Sequence, residues 1–353
     1  MREIKTGLKS GSCYLLSDRV NRRYLSGIDV AEGYLLYSDN PVYFTDMRYY
    51  LAVKEKLAGS YISAAPFFGL NDIQAEIKRQ KIKTVYIDFT RTTLSEYAEY
   101  KKLFGKQRKI KDCSAKVSAL RSVKSDIEIK SVKRACEIAE QAVRETFAHL
   151  SDGITEKELK KFLEERMIAL GAEDTAFDTI VAFGKNSAVP HHETGDDKLC
   201  DNQAVLIDTG CKINGYCSDI TRTAFYGEPD DEFLKTYNAV LDANLKAERE
   251  IYAGISGKGA DKIARDVLIE RGYGEYFTHS LGHGVGLEIH ESPRLSLKSD
   301  DVLTDNMIFT VEPGVYMDGK FGIRIEDTCV MTGARAVRLF SDDKKLTVKP
   351  LKK

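Results

Sequence analysis

At 353 residues the chain is longer than a single hydrophobic core comfortably fills, so two domains are expected. Its 42% hydrophobic and 30% charged residues, with 15 Phe and 18 Tyr, are those of a folded globular protein and exclude a largely disordered one. The 53 Lys and Arg against 54 Asp and Glu, with neither sign massed in a block, exclude an electrostatic footprint for nucleic acid or an anionic membrane.

The opening stretch MREIKTGLKSGSCYLL has no apolar segment followed by a small-residue cleavage site, and no window approaches about 18 consecutive apolar residues. Neither export nor membrane spanning is expected, and the chain reads as cytoplasmic. Cys13, Cys113, Cys136, Cys200, Cys211, Cys217 and Cys329 are odd in number and form no CxxC pair. They read as reduced thiols packed as small core residues.

In the first hundred-odd residues GYLLYS, PVYFTD and TVYIDF read as strands, and RYYLAVKEKLAG and LNDIQAEIKRQK as helices, an α/β pattern. No GxGxxG turn follows these strands, so this part reads as scaffold without a dinucleotide or P-loop site. Beyond the polar stretch ALRSVKSDIEIK, the residues Ile127, Ile129, Val132, Ala135, Ile138, Ala139, Ala142 and Val143 recur at helical spacing. Ser125 and Glu128 make a capping box at the start of that helix, which places the domains at residues 1–122 and 123–353. Thr155 and Glu158 repeat the device ahead of LKKFLEERMIALG, with Gly171 as its stop. From about residue 177 strands and hairpins dominate, broken by helices near 229–252 and 257–272. The second domain is therefore α+β with much antiparallel sheet.

AVLIDTGCKINGYCSDITRTAF reads as a hairpin that runs through Asp208, turns at Asn214-Gly215 and returns through Asp219, with the aspartates nearly level. MIFTVEPGVYMDGKFGIRIEDTCV repeats the layout with Glu312, an Asp318-Gly319 turn and Glu326. A carboxylate inside an apolar strand is costly unless it is paired or coordinates a cation. Any one of these acids reads most simply as an edge residue facing water. Four at matched positions, beside a window HSLGHGVGLEIHESP that holds three of the chain's six histidines, read as a metal site. Oxygen ligands with one imidazole suit a divalent ion, and shared carboxylates suit two ions. His279 and His283 are four apart, yet the glycines around them argue against a helix, so a loop or strand carrying one ligand is expected.

The segments VPHHETGD, IDTGCKINGYCSDITRT, HSLGHGVGLEIHESP, TVEPGVY and GIRIEDT resemble, in order and spacing, the creatinase/prolidase-type metallopeptidases, which include Xaa-Pro dipeptidases and Xaa-Pro aminopeptidases. NRRYLSG and FTDMRYY look like the N-terminal domain of that family. The resemblance spans nearly the whole chain. It implies an α+β protein with a C-terminal pita-bread catalytic domain preceded by an α/β creatinase-type N-terminal domain. It makes Asp208, Asp219, His283, Glu312 and Glu326 metal ligands, with Asp219 and Glu326 bridging two divalent ions. Mn²⁺ is expected first, with Co²⁺, Zn²⁺ and Fe²⁺ as alternatives.

The same resemblance makes His191, His290 and Glu312 catalytic and has His279 line the substrate site. It makes Phe177 and Ile180 candidates for the proline pocket and Arg294 a reader of a dipeptide's carboxylate. Arg324, two residues before Glu326 and so on its strand face, is placed to touch the ligands from behind. His192 has no evident role, and His149 reads as a surface helix residue. The loop after PHH, from Glu193 to Lys198, is more acidic than is usual in the family and leaves substrate preference open. Short proline-containing peptides are the expected partners, and a homodimer is implied by resemblance alone. The favoured activity is Xaa-Pro dipeptidase, then Xaa-Pro aminopeptidase. A peptide-binding module without turnover is the alternative of another class, while the five retained ligands disfavour metal-free C–N hydrolysis.

Overall fold

The computed structural model describes residues 7–351 as two units, one running to Arg121 and the other starting at Ser122. The first unit is α/β. In chain order it comprises β1 (Ser12–Leu16), α1 (Arg19–Ser26), β2 (Tyr34–Tyr37), β3 (Val42–Thr45), α2 (Met47–Lys56) and β4 (Ser63–Pro66). It continues with α3 (Leu70–Arg79), β5 (Thr84–Ile87), α4 (Leu94–Phe104), β6 (Lys109–Asp112) and α5 (Ser114–Ser122). The strands form one mixed sheet in the order β4-β3-β2-β1-β5-β6. Successive residues of β1 point to opposite faces, so Cys13 and Leu15 join the core under α3 and α4, while Tyr14 and Leu16 join the core under α1 and α2.

The second unit opens with α6 (Asp126–His149) and α7 (Glu156–Ala169). Both begin where the capping boxes place them. The Glu128 carboxylate accepts from the Ser125 N–H at 2.6 Å, and Thr155 Oγ1 accepts from the Glu158 N–H at 3.1 Å. The apolar stripe of α6 is buried from Val132 to Val143, with one exception to the periodicity. Ile127, in the first turn, is 74% exposed. Cys200 likewise departs from the expected core placement and is exposed, whereas the other six cysteines are buried. His149 is exposed and stacks on Phe162 with ring centroids 4.0 Å apart.

The rest of the unit is a curved sheet between two helix pairs. Its strands are β7 (Asp174–Thr175), β8 (Ile180–Phe183), β9 (Gln203–Thr209), β10 (Cys211–Ile213), β11 (Tyr216–Cys217) and β12 (Ile220–Tyr226). After α8 (Asp231–Glu250) and α9 (Gly257–Glu270) come β13 (Gly282–Gly284), β14 (Glu291–Leu295), β15 (Ile308–Val311), β16 (Gly314–Met317) and β17 (Phe321–Arg324). The chain closes with β18 (Glu326–Thr332), β19 (Arg335–Arg338) and β20 (Thr347–Lys349). The main sheet runs β14-β13-β15-β18-β12-β9-β8, with β19 on β18 and β20 on β12. Alternation sorts its side chains: Val205, Ile207, Ile308 and Val330 pack under α6 and α7, and Ala204, Phe309, Cys329 and Met331 under α8 and α9. Each fully buried aliphatic chain contributes about 1.5–3 kcal/mol, so both faces hold the strands that carry the acids. Among the described residues no helix is long and apolar enough to cross a membrane.

Candidate active site

The two hairpins form as their turn chemistry dictates. Asn214 and Gly215 adopt φ of 50° and 74°, the pair of left-handed residues a two-residue turn needs between β10 and β11. Asp208 pairs with Thr221 across β9 and β12, which leaves Asp219 nearly level with it. In the second hairpin Val311 pairs with Asp327 and Gly314 with Arg324, one register that sets Glu312 opposite Glu326. The connection there has three residues, Asp318 to Lys320, with Gly319 left-handed at φ 73°.

His283 sits on β13, the strand next to β15. Its Nε2 is 3.4 Å from Glu312 Oε1 and 3.6 Å from Asp219 Oδ2. Donor atoms of Asp219, His283 and Glu326 all lie within 4.8 Å of one another. The glycines on either side explain the sequence GHG. A Cβ on Gly282 would stand 2.1 Å from the Thr310 carbonyl oxygen, and one on Gly284 would stand 2.2 Å from that of Ser292. Only glycine lets the imidazole strand press this closely against both neighbours.

Electrostatics in this cluster are unfavourable for bare carboxylates. Burial first, then the charges of Glu326, Asp208 and Glu312, push the Asp219 carboxyl well above its ordinary range. Burial and the same neighbours raise Glu326, and burial lifts Glu312 to about 8 against the pull of Arg324. Burial holds the His283 imidazole down to about 4. Its Nδ1 faces the Gly284 carbonyl oxygen at 3.2 Å, which assigns the proton to Nδ1 and turns the Nε2 lone pair toward the acids. Asp208 Oδ1 is buried with no hydrogen-bond partner among the described residues. Oxygen donors crowded around an imidazole lone pair, with an orphaned carboxylate oxygen, are what a divalent cation satisfies, so these residues fit one.

Behind the acids runs a hydrogen-bonded chain. Arg324 donates from Nη2 to Asp208 Oδ2 at 2.5 Å, from Nε to Thr221 Oγ1 at 3.0 Å, and from Nη1 to Tyr316 Oη at 2.7 Å. Thr221 Oγ1 in turn donates to Glu326 Oε2 at 2.6 Å, and Thr310 Oγ1 to Glu312 Oε1 at 3.0 Å. Arg222 donates to the Glu326 carbonyl oxygen at 2.6 Å and to Asp327 at 2.7 Å, with Lys344 on the other Asp327 oxygen at 3.0 Å. Against the opposing effect of burial, these cations hold the Asp327 carboxyl well below the usual range.

The mouth of the cluster is basic. His290 is exposed with its ring centroid 4.3 Å from that of His283. His191 is also exposed, and burial holds the His290 imidazole below its ordinary range. Arg294 is exposed on β14, paired across from His283. Ile180 pairs with Asp208, and the Phe177 ring closes over Gly210, where a Cβ would lie 3.1 Å from it. His279 is engaged at both nitrogens, by the Ser280 carbonyl oxygen at 2.8 Å and the Tyr316 hydroxyl at 2.9 Å. Burial first, then Arg324, holds it down to about 3.

Sequence reasoning missed Thr221, Thr310 and Tyr316. The threonines carry a usable signal: each stands two residues from an acid, on the same strand face, inside an apolar run. Tyr316 has half of one: it stands diagonal to Arg324 across the β16–β17 hairpin, whereas His279 meets it only through folding.

A sheet-borne cluster of buried acids and one histidine defines a metallohydrolase site, and comparison with known proteins gives the family. The model of metallopeptidase family M24 matches residues 130–333, and that of the creatinase/prolidase N-terminal domain matches residues 9–123. The chain is 36% identical to the Xaa-Pro dipeptidase of Pyrococcus horikoshii, over 94% of this chain and 93% of that one. Among solved structures it resembles Xaa-Pro dipeptidase from Bacillus anthracis, with a TM-score of 0.91 at 36% identity over 95% and 94% of the two chains. It also resembles X-Pro aminopeptidase from Thermotoga maritima, with a TM-score of 0.89 at 37% identity over 95% of each. The chain belongs to metallopeptidase family M24, with a creatinase-type N-terminal domain and a pita-bread catalytic domain, and is a metal-dependent peptidase.

Proposed function

We propose that the protein is an Xaa-Pro dipeptidase that uses two divalent ions per chain, with residues 1–122 as its N-terminal domain and 123–353 as its catalytic domain. Asp208, Asp219, His283, Glu312 and Glu326 would hold the ions. The observation that carries the reading is the convergence of the two acid-bearing hairpins on His283 Nε2. Mn²⁺ as the native metal, a homodimer and a cytoplasmic location complete it.

Divalent ions in such a cradle act as Lewis acids and lower the pKa of bound water by several units. The chain's own residues do the rest. Glu312, held as a carboxylate when the cradle is filled and oriented by Thr310 Oγ1, accepts the proton of the attacking water and returns it to the departing proline nitrogen. His191 and His290, exposed at the mouth, meet the scissile carbonyl and stabilise the oxyanion. His279, with both nitrogens occupied, serves as a wall of the substrate site. Phe177 and Ile180 supply apolar surface for the proline ring. Arg294 reads the free carboxylate of a dipeptide, which favours Xaa-Pro over longer peptides.

The likeness to the Thermotoga maritima aminopeptidase supports a second reading, Xaa-Pro aminopeptidase on longer peptides. Either peptidase is separated from a binding module by metal analysis and Ala-Pro turnover in wild type and Asp219→Ala. The peptidase reading expects bound metal and turnover that both collapse in the variant. Retained peptide affinity with no turnover in either protein would favour the binding module.

A further inference from the structure

His192 follows His191 directly, and its Nε2 lies 2.8 Å from Oε2 of Glu156, whose side chain has no exposed surface. Glu156 is the first residue of α7, and among the described residues no lysine or arginine pairs with it. Its Oε1 accepts instead from the Phe183 N–H and Asn186 Nδ2, each at 2.9 Å, and its Oε2 from the Gly195 N–H at 2.9 Å and from His192. Donors spread from residue 183 to 195 thus converge on one buried carboxylate, which the positive end of the helix favours further.

The same first turn holds the segment through its main chain. The Glu156 and Lys157 N–H groups donate to the carbonyl oxygens of Asp197 and Gly195, each at 3.1 Å. On the other flank of His191, Arg324 Nη1 donates to the Pro190 carbonyl oxygen at 3.3 Å. His191 is gripped from both neighbours while its own ring stays exposed at the mouth. Glutamine would fill the Glu156 site equally well. It could not accept on both ends, because its NH₂ would face donors on one side or the other.

We propose that Glu156, acting through His192 and the 183–195 main chain, is the positioning residue that fixes His191 at the mouth of the metal site. The catalytic meaning of this grip rests on the peptidase reading of His191, but the grip itself does not.

The test uses the full-length, metal-loaded chain carrying Glu156→Gln, His192→Leu or His192→Gln, each alone and with His191→Ala. Glu156→Gln and His192→Leu are expected to lower kcat on Ala-Pro about tenfold or more while metal content stays and KM moves less than about twofold. His192→Gln, whose amide N–H can stand in for Nε2–H, is expected to restore most of the rate. In the His191→Ala background the first two are expected to cost nothing further, since residues that act as one unit are not additive. Equal losses with and without His191 would overturn the proposal.

A second readout is independent of turnover. In ¹³C-labelled imidazole NMR, the His191 signal is identified by its absence in His191→Ala. It is expected to shift or split in Glu156→Gln and His192→Leu and to hold its place in His192→Gln. An unmoved His191 signal overturns the proposal whether or not any peptide is cut. A moved signal in a chain that cleaves no Xaa-Pro peptide upholds the grip and overturns only the peptidase reading. Should Glu156→Gln fail to fold, His192→Leu carries both readouts.

Discussion

Arg324 Nη2 lies 2.5 Å from Asp208 Oδ2, and the same guanidinium reaches Thr221, Tyr316 and the Pro190 carbonyl oxygen. One planar fork therefore orients the acid of the first hairpin, steadies the threonine that donates to Glu326, and touches the segment that carries His191. A lysine has the charge but not the fork.

Arg324→Lys is accordingly expected to behave almost as badly as Arg324→Met. Both should lower metal affinity or kcat by about 10- to 100-fold, the usual consequence of losing a partner behind a metal ligand. Metal titration followed by Ala-Pro kinetics checks this. A lysine variant with wild-type kinetics would show that charge alone suffices.

Chelation should destabilise the protein, and more so as pH rises. In the metal-free chain burial lifts Glu312 from 4.5 to about 8, so between these values the folded state holds a proton the unfolded chain has released. Stability from this group is full below 4.5 and is lost as pH rises through about 8. A bound cation replaces that proton. The gap in Tm between metal-loaded and chelated protein is therefore expected to widen from about pH 5 to about pH 8. Scanning calorimetry on the two forms measures it, and a gap that is constant or narrows with pH would contradict the cradle.

Gly282→Ala is expected to lower stability by about 1–3 kcal/mol and to impair metal binding, because the new methyl meets the Thr310 carbonyl oxygen on the strand beside His283. Gly319→Ala, at a turn where a Cβ meets nothing within 4 Å, carries only the cost of a left-handed backbone. Denaturant melts of the two variants with and without metal separate these effects. Metal affinity lost in Gly319→Ala but kept in Gly282→Ala would contradict the assignment.

Much of this site was legible in the sequence, because hairpins obey local rules. Asn214-Gly215 and Asp318-Gly319 mark the turns, strand alternation counts outward from them, and Asp208, Asp219, Glu312 and Glu326 fall into near or direct register. The capping boxes at Ser125 and Thr155 were equally local. What could not be read are contacts made only by folding. Glu156 reaches residues 183–195 across a helix-to-loop contact, and His279 meets the Tyr316 hydroxyl from outside that residue's hairpin. Ile127 shows the limit of periodicity: the spacing places it on the core face, yet it is exposed in the first turn of α6, while the stripe from Val132 onward is buried.

The dipeptidase activity is tested most directly by giving the Mn²⁺-loaded protein an equimolar mixture of Ala-Pro and Ala-Pro-Ala and following products by mass spectrometry. Alanine and proline are expected from the dipeptide while the tripeptide survives, with loss of that preference in Arg294→Ala. Alanine released preferentially from the tripeptide, or no cleavage of either peptide with manganese, cobalt or zinc, would contradict it.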